Sequence, residues 1–124
     1  MAKILLIEDD ALNREMIARR LAWEGHTIVT ATNGVDGLSA IEVEQPDLVL
    51  MDVGLPVLNG WQTASHIKAS KQTSHIPIIA LTAYVTSHDY ERSLGSGCDD
   101  FETKPVNFQR LLGKISLLLS EHAV

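Results

Sequence analysis

The stretch Pro46-Asp47-Leu48-Val49-Leu50-Met51-Asp52-Val53-Gly54-Leu55-Pro56 constrains this chain more than any other. Four consecutive apolar residues, Leu48 to Met51, lead straight into one carboxylate, and Gly54 and Pro56 then stop regular structure. An unbroken apolar run this short, bounded by Pro46 on one side and Gly/Pro on the other, reads as a strand buried on both faces. Asp52 therefore stands at the carboxyl end of a buried strand. In open α/β sheets that edge is where ligands and chemistry gather. An isolated Asp there serves equally well as a loop cap, so the rest of the chain has to decide.

Other apolar runs punctuate the sequence in the same manner. Ile4 to Ile7 ends in Glu8-Asp9-Asp10, His26 to Ala31 alternates loosely and reads as a second strand, and Ile78 to Leu81 ends at Thr82; a short fifth strand is expected near Asp100 to Thr103, closed by Lys104-Pro105. Helical patterns lie between them. Leu12, Met16, Ile17 and Leu21 recur near 3.6 spacing, with Asp10 placed to cap and Gly25 to stop the helix. A second helix starts at Asn33-Gly34, carries Val35, Leu38 and Ile41, and must end before Pro46. A third starts near Gly60 with Trp61, Ala64 and Ile67 on one face, and a fourth, poor in helix formers, spans about 87–95. The last is the clearest, with a stripe of Phe108, Leu111, Leu112, Ile115, Leu118 and Leu119 and Asn107 as its cap.

Five strands alternating with five helices predict an α/β fold: a doubly wound five-stranded parallel sheet with right-handed crossovers. The expected strand order is 2-1-3-4-5, the flavodoxin-like arrangement. At 124 residues, with no linker, repeat or low-complexity tract, the chain reads as one domain. A net charge of −6 leaves no basic stripe for nucleic acid. One cysteine, Cys98, excludes an internal disulfide and fits a reducing compartment. No apolar run suits a signal peptide or membrane insertion, so a cytoplasmic protein is expected.

With that strand order, the carboxyl edge collects Glu8 and Asp9 from strand one, Asp52 from strand three, Thr82 from strand four and Lys104 from strand five. Strands one and three are neighbours, so three carboxylates converge and raise one another's pKa unless positive charge intervenes. Lys104 supplies one such charge. A hard divalent cation with oxygen ligands would complete the balance, as Mg²⁺ does with carboxylates, water and phosphate oxygens. A metal, a carboxylate, a lysine and a hydroxyl are the parts needed to stabilise a phosphoryl group in transfer.

Ile7-Glu8-Asp9-Asp10, Met51 through Pro56 with Asn59-Gly60, Leu81-Thr82-Ala83, and Gly97-Cys98-Asp99-Asp100-Phe101 with Lys104-Pro105 resemble the receiver domain of two-component response regulators. Four motifs in the right order, each at a strand end, carry the resemblance over essentially the whole chain, 1–124. It implies a CheY-like fold and a phosphoacceptor role for Asp52, which would attack a phosphohistidine on a histidine kinase or histidine phosphotransfer protein. It further implies Mg²⁺ held by Glu8, Asp9, Asp52 and the backbone carbonyl of Gly54. Thr82 and Lys104 would each contact a phosphoryl oxygen, Phe101 would be the aromatic switch, and a downstream protein would read the result. Pro105 would follow a cis bond. Such a chain catalyses its own phosphorylation and dephosphorylation without turning over an external substrate. Its initiating Met and immediate first strand favour a stand-alone regulator.

Some positions depart from the family pattern. Glu8 stands where Asp is also common and should alter metal reach slightly and nothing else. Leu55 and Asn59 replace a usual Met and Asp, with effects expected in loop packing or partner fit. A flavodoxin-type flavin binder would need a Ser/Thr/Gly-rich loop where Glu8-Asp9-Asp10 stands. A haloacid-dehalogenase-type phosphatase would need a second Asp at Gly54, and on its first strand. A pseudo-receiver, acting purely as a protein-interaction module, would have lost an acid or Lys104. Among the remaining residues, Cys98 reads as packing, the five histidines as surface, Trp23 and Trp61 as packing, Met16, Met51 and Leu58 as core or loop filling, and Asp99-Asp100 as a solvated turn.

Overall fold

A computed structural model of the chain describes residues 2–55, 58–82 and 95–121. The elements run β1 (Lys3–Ile7), α1 (Ala11–Trp23), β2 (Thr27–Ala31), α2 (Gly34–Glu44), β3 (Leu48–Asp52), α3 (Gly60–Ala69), β4 (Ile78–Thr82), β5 (Asp100–Thr103) and α4 (Phe108–Glu121). The sheet is parallel throughout, in the order β2-β1-β3-β4-β5. Among the described residues there are four helices rather than five; the helix expected at about 87–95 lies outside them save for its last residue. No described helix is long and apolar enough to cross a membrane.

Strands β1, β3 and β4 read as unbroken apolar runs because each alternates between two cores. Leu5, Ile7, Val49, Met51, Ile78 and Ala80 face one side, with Ile41 of α2 and Ala64 and Ile67 of α3. Ile4, Leu6, Leu48, Leu50, Ile79 and Leu81 face the other, with Ile17 and Leu21 of α1 and Leu111 and Ile115 of α4. Side chains successive along a strand point to opposite faces, so two covered faces require apolar residues at both parities. The caps expected at Asp10 and Asn107 accept from the backbone amides of Leu12 and Arg110 at 3.1 and 3.0 Å, and Asn33 caps α2 in the same way, accepting from the Asp36 amide at 2.8 Å.

Three readings need correction. Leu12 and Met16 do not share a face with Ile17 and Leu21: Leu12 and Met16 are exposed while Ile17 and Leu21 are buried. Trp23, expected to pack, is exposed, as is Val35 on α2. Asp99 is no idle solvated turn. Its carboxylate accepts from the Ile78 amide at 2.8 Å and from the Lys68 ammonium at 3.1 Å, fastening the approach to β5 onto the start of β4 and onto α3.

Helix α3 is set close against the end of β3. Asn59 begins it with a full capping box: its side chain accepts from the Gln62 amide at 2.9 Å and Gln62 accepts from the Asn59 amide at 3.0 Å. Asn59 thus performs the capping work of the Asp it replaces. The Gly60 amide donates to the Val53 carbonyl at 3.1 Å. A Cβ on Gly60 would meet the Val53 Cα at 2.5 Å and the Asp52 carbonyl oxygen at 2.8 Å, both backbone atoms that cannot swing aside. Gly60→Ala is therefore expected to destabilise the fold by about 1–3 kcal/mol. Gly113→Ala, inside α4 with nothing within 4 Å of its Cβ, should stabilise by about 0.5–1 kcal/mol. Urea midpoints of the two variants should move in opposite directions.

Candidate functional site

The carboxyl edge of the sheet is built by neighbouring strands that stop within one residue of each other. Across β1 and β3, Ile7 is paired with Met51, so Glu8 and Asp52 are the next residues on neighbouring strands. The Glu8 amide still donates to the Ala31 carbonyl at 3.0 Å, keeping Glu8 in the rank of the sheet. Its side chain is 0% exposed, whereas Asp9 and Asp10 lie at the surface. Asp52 is 8% exposed. One Asp52 carboxylate oxygen accepts from the Gly54 amide at 3.1 Å. The tight Val53-Gly54 turn thereby folds its backbone back over the carboxylate.

Lys104 reaches the same place from the far edge. Its amide donates to the Thr82 carbonyl at 2.8 Å, extending the β4–β5 ladder by one rung, and the Lys104–Pro105 peptide is cis. The ammonium lies 2.8 Å from Glu8 and 3.2 Å from Asp52, bridging two buried carboxylates. Oxygens of Glu8, Asp9 and Asp52 all lie within 4.8 Å of one another. Three carboxylates against one ammonium leave an excess of negative charge in a half-enclosed cleft.

The electrostatics follow. Burial pushes the Glu8 carboxyl up to about 7; the Lys104 hydrogen bond pulls it down, but the neighbouring Asp52 raises it again. For Lys104, burial lowers the pKa, yet the Glu8 hydrogen bond and the charges of Asp52 and Glu8 outweigh it and raise it. The Glu-for-Asp difference at this position thus does more than change reach: Glu8 is the buried partner of Lys104.

Thr82 ends β4 one residue past Leu81, the partner of Asp52 across the sheet, and it is buried. Phe101 is half-buried on β5, one strand over, paired with Ala80. Its carbonyl accepts from the Lys114 ammonium, which also sits 5.5 Å from the Phe101 ring centre. The structure therefore brings Glu8, Asp9, Asp52, Gly54 and Lys104 together and sets Thr82 at the same edge. Phe101 lies farther down its strand.

Two supporting groups escaped the sequence reading. Arg14 on α1 donates to the backbone carbonyls of Glu8 at 3.0 Å and Asp9 at 3.4 Å, holding the acidic loop against the helix. An Arg five residues past an acidic pair was the available signal. Glu102 on β5 is buried and is clasped by Arg110 at 2.6 Å and Lys114 at 3.3 Å. Burial pushes its pKa up, but Arg110, the Thr103 amide and Lys114 together hold it below the usual range. This clasp ties α4 to the strand that carries Phe101 and leads into Lys104. Cys98 is buried, and burial pushes its thiol pKa up, which makes it inert packing.

A doubly wound parallel sheet with carboxylates and a lysine gathered at its carboxyl edge defines a flavodoxin-like α/β domain with an acidic, cation-ready cleft. The family model described as response regulator receiver domain matches residues 4–116, and the chain belongs to that family of two-component systems. Protein PilH of Pseudomonas aeruginosa is 35% identical over 120 residues, 97% of this chain and 99% of PilH. Transcriptional regulatory protein HprR of Escherichia coli is 36% identical over 120 residues, 97% of this chain, but the chain spans only 52% of HprR. A solved receiver domain of the sensor histidine kinase PA1611 from Pseudomonas aeruginosa superimposes with a TM-score of 0.89 at 31% identity, covering 96% of this chain and 98% of that one. That structure is described with a magnesium ion coordinated in its active site cleft.

The donors at this edge suit the same kind of ion. All are hard oxygens, they lie within 4.8 Å of one another, and the surplus negative charge is what a divalent cation offsets. Among the described residues the cluster holds no nitrogen or sulfur donor, and its all-oxygen set suits a hard cation rather than zinc.

Proposed function

We propose that residues 1–124 form one receiver domain that accepts a phosphoryl group on Asp52 and thereby switches its binding to a downstream protein in the cytoplasm. The donor is a phosphohistidine on a histidine kinase or histidine phosphotransfer protein. An Asp52 carboxylate oxygen attacks phosphorus, the phosphorus–nitrogen bond breaks, and its electron pair returns to the imidazole. The product is an acyl phosphate on Asp52, which the domain later hydrolyses; no external substrate is turned over. Glu8, Asp9, Asp52 and the Gly54 carbonyl would hold Mg²⁺, which supplies neutralisation of phosphoryl charge when bound. Lys104, already balanced between Glu8 and Asp52, transfers its contact to a phosphoryl oxygen, and Thr82 donates its hydroxyl to another. The observation that carries this reading is the Lys104 ammonium held between two buried carboxylates from different strands. The test is transfer from a panel of purified, autophosphorylated histidine kinases: at least one should lose its label to this chain in the presence of Mg²⁺. Retention of label by every kinase would contradict the reading.

The switch follows from one bond. A hydroxyl donating to a charged phosphoryl oxygen is worth roughly 1.5–3 kcal/mol. Differential bonding of that size shifts a two-state equilibrium about 10–150-fold. Thr82 drawn toward Asp52 vacates space into which the Phe101 ring can turn. Thr82→Ala should accept phosphoryl yet lose most of the change in hydrogen exchange around Phe101 on treatment with beryllofluoride. Equal responses in variant and wild type would remove Thr82 from the signalling path.

A further inference from the structure

Three consecutive carbonyls of the acidic loop end on one residue of α1. The Arg14 guanidinium donates through Nη1 to the Glu8 carbonyl at 3.0 Å and to the Asp9 carbonyl at 3.4 Å, and the Arg14 amide donates to the Asp10 carbonyl at 2.8 Å. The other arginines of the helix are engaged at its surface, Arg19 with Glu15 at 2.6 Å and Arg20 with Glu24 at 3.3 Å. Arg14 is half-buried and reaches back past the start of the helix instead.

Glu8 and Asp9 differ in what fixes them. Glu8 is locked by its own contacts: its amide donates to the Ala31 carbonyl at 3.0 Å, and its carboxylate accepts from Lys104 at 2.8 Å and from the Asp10 amide at 3.4 Å. Asp9 is exposed, yet its carboxylate comes within 4.8 Å of those of Glu8 and Asp52. Its direction is set by its backbone. Each peptide unit is planar, so the two soft dihedrals of Asp9 are defined by the planes on either side of it. Those planes carry the Glu8 and Asp9 carbonyls, the two that the Arg14 side chain holds.

We propose that Arg14 is a positioning residue for the cation site: by holding the two peptide planes that flank Asp9, it aims the Asp9 carboxylate at Glu8 and Asp52 and tightens the binding of a divalent cation. The proposal rests on the reading of this cluster as an Mg²⁺ site. Charge and geometry give opposite signs here. A guanidinium is always charged and repels a divalent cation nearby, so by Coulomb's law alone its removal should tighten Mg²⁺ binding. Without Arg14, however, the Asp9 backbone is free to rotate, and its carboxylate must be ordered each time the ion binds. Groups that orient metal ligands from outside contribute roughly tenfold to a hundredfold in affinity. The screened charge of a partly exposed side chain contributes less. Geometry therefore decides the sign.

Mg²⁺ added at constant ionic strength to the isotope-labelled chain, with amide NMR shifts followed residue by residue, tests this without a phosphoryl donor. The wild type should show saturable shifts at Glu8, Asp9, Asp52 and Gly54. Arg14→Ala and Arg14→Met should each weaken the fitted affinity about tenfold, with the metal-free spectrum of the sheet unchanged. Alanine is the best helix former, so the loss in that variant cannot come from a weakened α1. Arg14→Lys, which keeps a cation with donors on a flexible stem, should fall between the wild type and the neutral variants. Arg19→Met removes an equal charge from the same helix and should bind as the wild type does. Neutral Arg14 variants that bind Mg²⁺ as tightly as the wild type, or more tightly, overturn the proposal while leaving the Mg²⁺ site in place. So does an Arg19→Met chain weakened as much as they are, or an Arg14→Lys chain no better than Arg14→Met. A wild type with no saturable shift at the cluster overturns the Mg²⁺ reading, and this proposal with it.

Discussion

Millimolar Mg²⁺ should raise the melting temperature of this chain by roughly 5 °C at about pH 8 and should have no effect near pH 4.5. The sign rests on Glu8, whose carboxyl is raised from 4.5 to about 7, first by burial and then by Asp52 against the pull of Lys104. Between those two values the folded chain holds a proton that the unfolded chain has released. Stability therefore falls as pH rises through that window, by about 3 kcal/mol at most for one carboxyl. Its contribution is intact below the unfolded value and is gone once the folded group has ionised. Above pH 7 Glu8 is ionised beside its neighbouring carboxylates, and a divalent cation bound only to the folded state recovers the loss. Below about pH 5 protons occupy Glu8 and compete with the cation. Scanning calorimetry across this range, with and without Mg²⁺, checks both halves. A melting temperature indifferent to Mg²⁺ at pH 8 would remove the cation site.

The positions of the candidate site residues were legible in the sequence because the central strands β1, β3 and β4 are buried on both faces. An apolar run that must satisfy two cores ends abruptly, and the first charged residue after it marks the carboxyl edge. Leu48–Asp52 and Ile78–Thr82 are found where those runs predict them. The difference between Glu8 and Asp9 was hidden, since both follow the same strand. It arises because the Glu8 amide still bonds to Ala31, leaving Glu8 inside the sheet while the chain turns outward after it. The bridging of Lys104 to Glu8 depends on contacts between residues 96 positions apart, which no local pattern encodes.

Helix α1 misled the periodicity for a geometric reason. The five-residue step from Leu12 to Ile17 turns the helix about 140° away from its starting face, so an apparently single stripe is two. On α2 the buried face is made by Gly34, Gly37 and Ile41 rather than by Val35. A Cβ on Gly37 would strike the Ile7 side chain, so close approach to β1 selects glycine, and a count of apolar residues passes over it.

Asp52→Asn should lower phosphoryl acceptance at least about a hundredfold without unfolding the chain, since nucleophile loss removes the covalent step itself. The substitution is nearly isosteric, and it removes one of the charges that push Glu8 upward. Lys104 keeps its 2.8 Å contact to Glu8, so the metal-free variant should be more stable than wild type at pH 8. A loss of acceptance therefore cannot be attributed to a damaged fold. The direct measurement is the intact mass of the chain after incubation with a small acyl-phosphate donor. Wild type with Mg²⁺ is expected to gain one phosphoryl group, wild type with a chelator none, and Asp52→Asn with Mg²⁺ none. Phosphorylation of the Asp52→Asn chain at the wild-type level, or equal phosphorylation of wild type with and without Mg²⁺, would contradict the assignment of Asp52 as a metal-assisted acceptor.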